Sequence, residues 1–152
     1  MIKSLIIFAL TVLSVPLHAE SAQSEYILLA KDAQLVGDVR YESQPDYISW
    51  WRGIGSALSW KLNGMPPGKY TVTLLYSLEG NQANRTFSMS TESDTKKIFT
   101  LLPTGGWNAF KNKPLGALSL SPTDVTFTLT ALAIPPAGYL MNLQKVILKK
   151  ML

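Results

Sequence analysis

The side chains of this sequence that could do chemistry are aromatic rings set beside glycines. "PTGGWNAF" (103–110) runs through two glycines and then places Trp107 and Phe110 three residues apart. "PDYISWWRGIGS" (45–56) crowds Tyr47, Trp50 and Trp51 into five residues, and Gly53 and Gly55 follow. "AGYL" (137–140) carries a third loop aromatic. Turns use glycine because it reaches φ > 0 without a Cβ clash, but they seldom need two large rings as well. Rings held in loops present flat apolar faces on which the axial C–H bonds of a sugar can stack, while Asn and Gln side chains read the hydroxyls. The competing role for each ring is to plug an end of the core, the common fate of a lone loop aromatic. If residues 47–51 are extended, Trp50 and Trp51 point to opposite faces, so at most one of them is free for a ligand.

Other chemistries have little to stand on. There is one histidine, His18, and no cysteine. His18 lies inside residues 1–19, which read as a signal peptide: Lys3 supplies the positive start, "LIIFALTVL" (5–13) the apolar run, and Ala19 a small-residue cleavage site. Nine residues cannot cross a bilayer core, which needs roughly 20. The mature chain is therefore expected to start near Glu20, to span no membrane, and to be secreted or periplasmic. It then lacks imidazole and thiol altogether, which removes most zinc sites and the Ser-His and Cys-His nucleophile pairs. No disulfide framework is available, so stability must come from burial.

The carboxylates are dispersed. Asp32, Asp38, Glu42 and Asp46 lack calcium-loop spacing. Glu92 and Asp94 sit two apart in a polar hairpin and read as solvated. With 16% charged residues and no evident dyad, the chain is expected not to be an enzyme. The rival is a small polysaccharide hydrolase, which would need two acids about 5–10 Å apart in one cleft. The formal charge of +4, or +3 once Lys3 has left, is not gathered into a stripe. Only Lys96–Lys97 and Lys149–Lys150 are paired, so nucleic acid is not an expected partner. Asn84-Arg85-Thr86 matches a glycosylation acceptor, relevant only in a eukaryotic secretory pathway.

The elements that must position the rings are strands. Leu58, Trp60 and Leu62 alternate with Ser59 and Lys61; Tyr70, Val72, Leu74 and Tyr76 alternate with Thr71 and Thr73. Phe87 and Met89 alternate with Thr86, Ser88 and Ser90, and Val125, Phe127 and Leu129 with Thr126, Thr128 and Thr130. Period two with threonine on the polar side predicts half-buried antiparallel strands. Weaker strands are expected at 26–30, 97–102 and 143–149. Turns at 63–69, 79–84, 103–106, 121–124 and 135–138 punctuate them. No amphipathic helix, repeat or linker interrupts the pattern. The 133 residues from 20 to 152 suit one all-β domain, an antiparallel β-sandwich of jelly-roll type. Leu58, Trp60, Val72, Leu74, Phe127 and Leu129 are its expected core.

The order "LLAKDAQLVG", "ISWW…ALSW", "PPGKYTVTLLYS", "TGGWNAF…PLGALSL", "AGYLMNLQKVIL" resembles the family 6 carbohydrate-binding modules, galactose-binding-domain-like jelly rolls appended to secreted glycosidases. The likeness spans residues 26–149. The Thr-Gly-Gly-aromatic turn and the final Gly-aromatic…Asn-Leu-x-x-Val strand are its most specific parts. It implies a non-catalytic module in which loop rings sandwich a sugar. The early ring would be Tyr47, Trp50 or Trp51, the turn would offer Trp107 or Phe110, and Asn142 would read hydroxyls. One turn ring would anchor and the other lie exposed. Two departures stand out. Phe110 takes a place that is usually tryptophan, and Leu29 and Lys31 stand where the family's calcium leans on glutamates, so no metal or other cofactor is expected. The implied partners are a polysaccharide or glycan and a separate secreted enzyme or surface protein. A structural or protein-binding module that has lost sugar binding is the alternative.

Overall fold

The computed structural model describes residues 24–80 and 84–152. The signal peptide expected over 1–19 and the centre of the turn at 79–84 lie outside the described residues. Eleven strands form two sheets: β1 (Glu25–Leu29), β2 (Gln34–Val36), β3 (Arg40–Ser43), β4 (Asp46–Ser49), β5 (Ala57–Lys61), β6 (Gly68–Leu78), β7 (Thr86–Ser90), β8 (Lys97–Thr100), β9 (Gly106–Leu120), β10 (Thr126–Ala133) and β11 (Asn142–Lys150). Among the described residues a single 3-10 turn, Ala30–Asp32, follows β1. One sheet runs β3-β4-β11-β6-β9, with β1 also paired to β11; the other runs β2-β5-β10-β7-β8. All the strand pairings are antiparallel. The molecule is the expected antiparallel β-sandwich of jelly-roll type.

The alternation that signalled strands also builds the core. Tyr70, Val72 and Leu74 of β6 and Val146 and Leu148 of β11 are sealed in the same cluster as Leu58, Trp60, Phe87, Met89, Phe127 and Leu129 of the second sheet. The six side chains expected in the core are all buried there. Two tryptophans tie chain to chain through their ring N–H groups: Trp60 Nε1 donates to the carbonyl of Leu29 on β1 at 2.8 Å, and Trp51 Nε1 to that of Ser56 at 3.3 Å. A buried indole N–H usually finds such a partner, because leaving the donor unpaired would cost part of what burying the ring contributes.

Four strands lacked a legible period. β2, β3 and β4 are three or four residues long, too short for alternation to show. β9 is the longest strand, yet its sequence carries Pro114 and Gly116. It pairs only with β6, where a proline costs no ladder bond on the solvent side. A register shift leaves Leu115 between the Thr73–Pro114 and Val72–Gly116 pairs, which scrambles the period.

Two expectations need correcting. The alternation predicts Val125 on the inward face with Phe127 and Leu129, but β10 begins at Thr126 and Val125 is 56% exposed. Glu92 and Asp94 are not simply solvated. Glu92 Oε2 accepts the N–H groups of Val125 (3.1 Å) and Thr126 (3.2 Å), while Asp94 Oδ2 meets Lys97 Nζ (3.0 Å) and the Ser119 N–H (3.2 Å). Both fasten hairpin loops.

Candidate functional site

Four segments meet at one end of the six-stranded sheet: β4 with the loop after it, the start of β9, the 134–141 connection, and the start of β11. Between them lies an open cleft of about 300 Å³ lined by Tyr47, Ser49, Trp50, Trp107, Tyr139 and Asn142.

Backbone conformation sorts the first group. Ile48 points into the core, so an unbroken strand would send Trp50 inward after it and turn Trp51 outward. Trp50 instead has φ +50°, the left-handed region, which costs an L-residue about 1–2 kcal/mol. The reversal keeps Trp50 on the cleft with Tyr47 and Ser49, 44% exposed, and drives Trp51 into the core. Trp51 is thus corrected from candidate ligand contact to core plug.

Trp107 is mounted by a bulge. Across β6 and β9, Tyr76 faces Lys111 and Leu78 faces Gly106, so residues 107–110 all stand opposite Ser77 alone. Extra residues on one strand bend it and re-aim its side chains. The preceding turn holds the bulge from one side: the Thr104 N–H donates to the Leu78 carbonyl and the Leu78 N–H donates to Thr104 Oγ1, each at 2.9 Å. Gly105 adopts φ +110°, a conformation a Cβ would strain. From the sheet side, Ser77 Oγ (2.5 Å) and Asn142 Nδ2 (3.1 Å) both donate to the Trp107 carbonyl. Asn142 is 7% exposed, lines the cleft and spends one N–H on this mount. Its remaining amide valences are what a ligand could meet.

Tyr139 stands between the two indoles. Its ring centroid lies 5.4 Å from Trp50 at 89° and 5.8 Å from Trp107 at 88°, edge-on geometry that suits the ring quadrupoles. Phe110 sits elsewhere. It packs against Tyr47 at 5.8 Å and 47°, and it is not among the cleft's lining residues. The turn therefore contributes Trp107 to the cleft and Phe110 as a prop behind Tyr47. Tyr139 and Ser49 were not singled out from the sequence. Tyr139 had a signal, an aromatic following the Pro-Pro-Ala-Gly turn; Ser49 had none.

The charges nearest the rings are peripheral. The Arg40 and Arg52 guanidinium carbons lie 5.4 and 5.9 Å from the Trp50 ring centroid, within cation–π range, and Arg52 also pairs with Asp38 at 3.3 Å. Ser49 Oγ donates to Glu42 Oε1 at 3.1 Å. The lining itself offers phenol, indole, hydroxyl and amide groups. Leu29 and Lys31 bring no carboxylate to the start of the fold, and among the described residues no three acidic, histidine or cysteine side chains converge.

No protein-family model matches the sequence, and no curated protein does. Solved structures do. A family 35 carbohydrate-binding module from Clostridium thermocellum superimposes with a TM-score of 0.66 at 20% identity, covering 82% of this chain and 97% of that one. The C-terminal family 6 module of a laminarinase from Zobellia galactanivorans gives 0.66 at 18%, covering 84% and 100%. The chain has the fold of the carbohydrate-binding modules of families 6 and 35. An exo-β-1,3-galactanase from Phanerochaete chrysosporium matches at a TM-score of 0.63 and 18% identity, over 82% of this chain but 29% of that enzyme's length. The fold is thus found both in isolated modules and within a longer enzyme chain.

Proposed function

We propose that this protein is a non-catalytic carbohydrate-binding module, carried out of the cytoplasm by residues 1–19, and that the cleft is its sugar site. The observation that carries the reading is the meeting of Tyr47, Trp50, Trp107 and Tyr139 with Ser49 and Asn142 around one cleft of about 300 Å³. Apolar ring faces and a few convergent polar groups are what a sugar requires, since it offers C–H faces ringed by hydroxyls. In this reading Trp50 and Trp107 supply stacking surface, Tyr47 is held by Phe110, and Asn142 and Ser49 meet hydroxyls. The module-like neighbours support it at the level of fold. No Asp or Glu is among the cleft's lining residues, which favours binding over hydrolysis. A polysaccharide is the partner, with a separate secreted enzyme or surface protein as a further one.

The test is a glycan array with residues 20–152, followed by calorimetry on each positive and its Trp107→Ala counterpart. Binding that disappears with Trp107 supports the site. A folded protein that recognises no glycan overturns it. A second reading, a protein-binding module, is favoured by the exposure of Ile54 and Leu102 on the loops that flank the cleft residues.

A further inference from the structure

Arg85 carries no role in the reading above, yet it is 3% exposed. A guanidinium is almost never buried this deeply unless its donors are engaged. Its Nε donates to the Tyr139 carbonyl at 2.7 Å, and burial lowers its pKa from the usual arginine value without threatening its charge. The next peptide group is also committed: the Leu140 N–H donates to the Trp51 carbonyl at 2.8 Å. Tyr139 is therefore clamped on both flanks, by β7's entry on one side and by the Trp50–Trp51 segment on the other. The turn before it contributes only one local bond, Gly138 N–H to Pro135 carbonyl at 2.9 Å. A four-residue turn with a single internal bond does not by itself fix where the next ring stands.

We infer that Arg85 is the positioning residue of the cleft: by holding the Tyr139 carbonyl it sets the Tyr139 ring between Trp50 and Trp107. What the cleft holds rests on the carbohydrate reading; the position of the ring does not. The hydrogen bond from Arg85 Nε to the Tyr139 carbonyl links it to the ring that both indoles meet edge-on. The bond ties the residue just before β7, in the five-stranded sheet, to the connection that leads into β11, in the six-stranded one.

The test is made on Arg85→Met and Arg85→Lys in the 20–152 protein, using the indole N–H resonances of all four tryptophans. Both substitutions remove the Nε donor while keeping an unbranched stem, and Lys keeps the charge. The expected result is displaced Trp50 and Trp107 signals in Arg85→Met, unchanged Trp60, and a smaller displacement in Arg85→Lys. Affinity for β-1,3-galactotriose or laminarin, whichever the wild type binds, should fall about tenfold, the scale of one lost charge-assisted hydrogen bond. Trp50 and Trp107 signals that stay in place in a folded Arg85→Met protein overturn the proposal. So does unfolding of both variants, which would make Arg85 a support of the fold. If the wild type binds neither probe nor any arrayed glycan, the carbohydrate reading fails, while the indole signals still decide the role of Arg85.

Discussion

Asn142 Nδ2 and Ser77 Oγ donate to the same acceptor, the carbonyl of Trp107, at 3.1 and 2.5 Å. The two donors are cross-strand partners on β11 and β6, so the sheet itself presents them side by side to the bulge. Asn142 thereby has two tasks, holding the Trp107 backbone and lining the cleft. Asn142→Ala removes one hydrogen bond and should cost about 1 kcal/mol of stability. Binding should weaken by more than that stability change accounts for, because the ring mount and the hydroxyl reader are lost together. Thermal unfolding and calorimetry on one preparation check this; unchanged affinity would deny Asn142 any place in the site.

Trp50 and Trp51 should separate cleanly under mutation. Trp51→Ala opens a core cavity and is expected to cost roughly 3–5 kcal/mol. Trp50→Gly removes an exposed ring and also relieves the left-handed strain, which is worth about 1–2 kcal/mol. Its stability should stay near that of the wild type while glycan binding is lost. Denaturant melts of both variants provide the measurement, and similar losses would contradict the face reversal at Trp50.

Trp107 and Phe110 should differ in the same way. Truncating an aromatic platform that stacks on a base loses roughly 1–3 kcal/mol, and the same scale is expected for Trp107→Ala with a sugar. Phe110→Ala acts only through Tyr47 and should lose less than half as much. Equal losses in calorimetric titrations would place Phe110 on the ligand.

Acid should release one loop fastener in a defined window. Burial alone would raise the Asp124 carboxyl, but hydrogen bonds from the Ser93 hydroxyl and from the Ser121 and Ser93 N–H groups outweigh it and hold the group at about 2, against an ordinary value of 3.8. Because the folded value is depressed, the stabilisation is fully present above about pH 4 and is lost as pH falls toward 2. Asp124→Asn should remove that segment of the pH–stability curve and leave the curve above pH 5 parallel to the wild type. Urea melts between pH 2 and 6 measure both.

The paired strands of the core were legible in the sequence because alternation is a local property. Leu58 and Trp60, Val72 and Leu74, and Phe127 and Leu129 each lie two apart in register, and burying one face of a sheet demands that spacing. The segments that bring rings to the cleft were legible for a related reason: Tyr47 to Trp51, Trp107 and Tyr139 all lie in glycine-bearing stretches that the strand alternation leaves out. What the sequence could not decide is which way each ring faces. Trp50 and Trp51 are sorted by one positive φ, and that conformation is affordable only because Trp51 then fills the core and Leu140 bonds to its carbonyl. Trp107 and Phe110 are sorted by four residues bulging opposite Ser77, a mismatch that exists only once β9 is laid beside β6. Tyr139 lines the cleft with its carbonyl held by Arg85, 54 positions away in the chain. Facing and convergence depend on contacts between residues far apart in sequence, so tertiary structure alone could assign them.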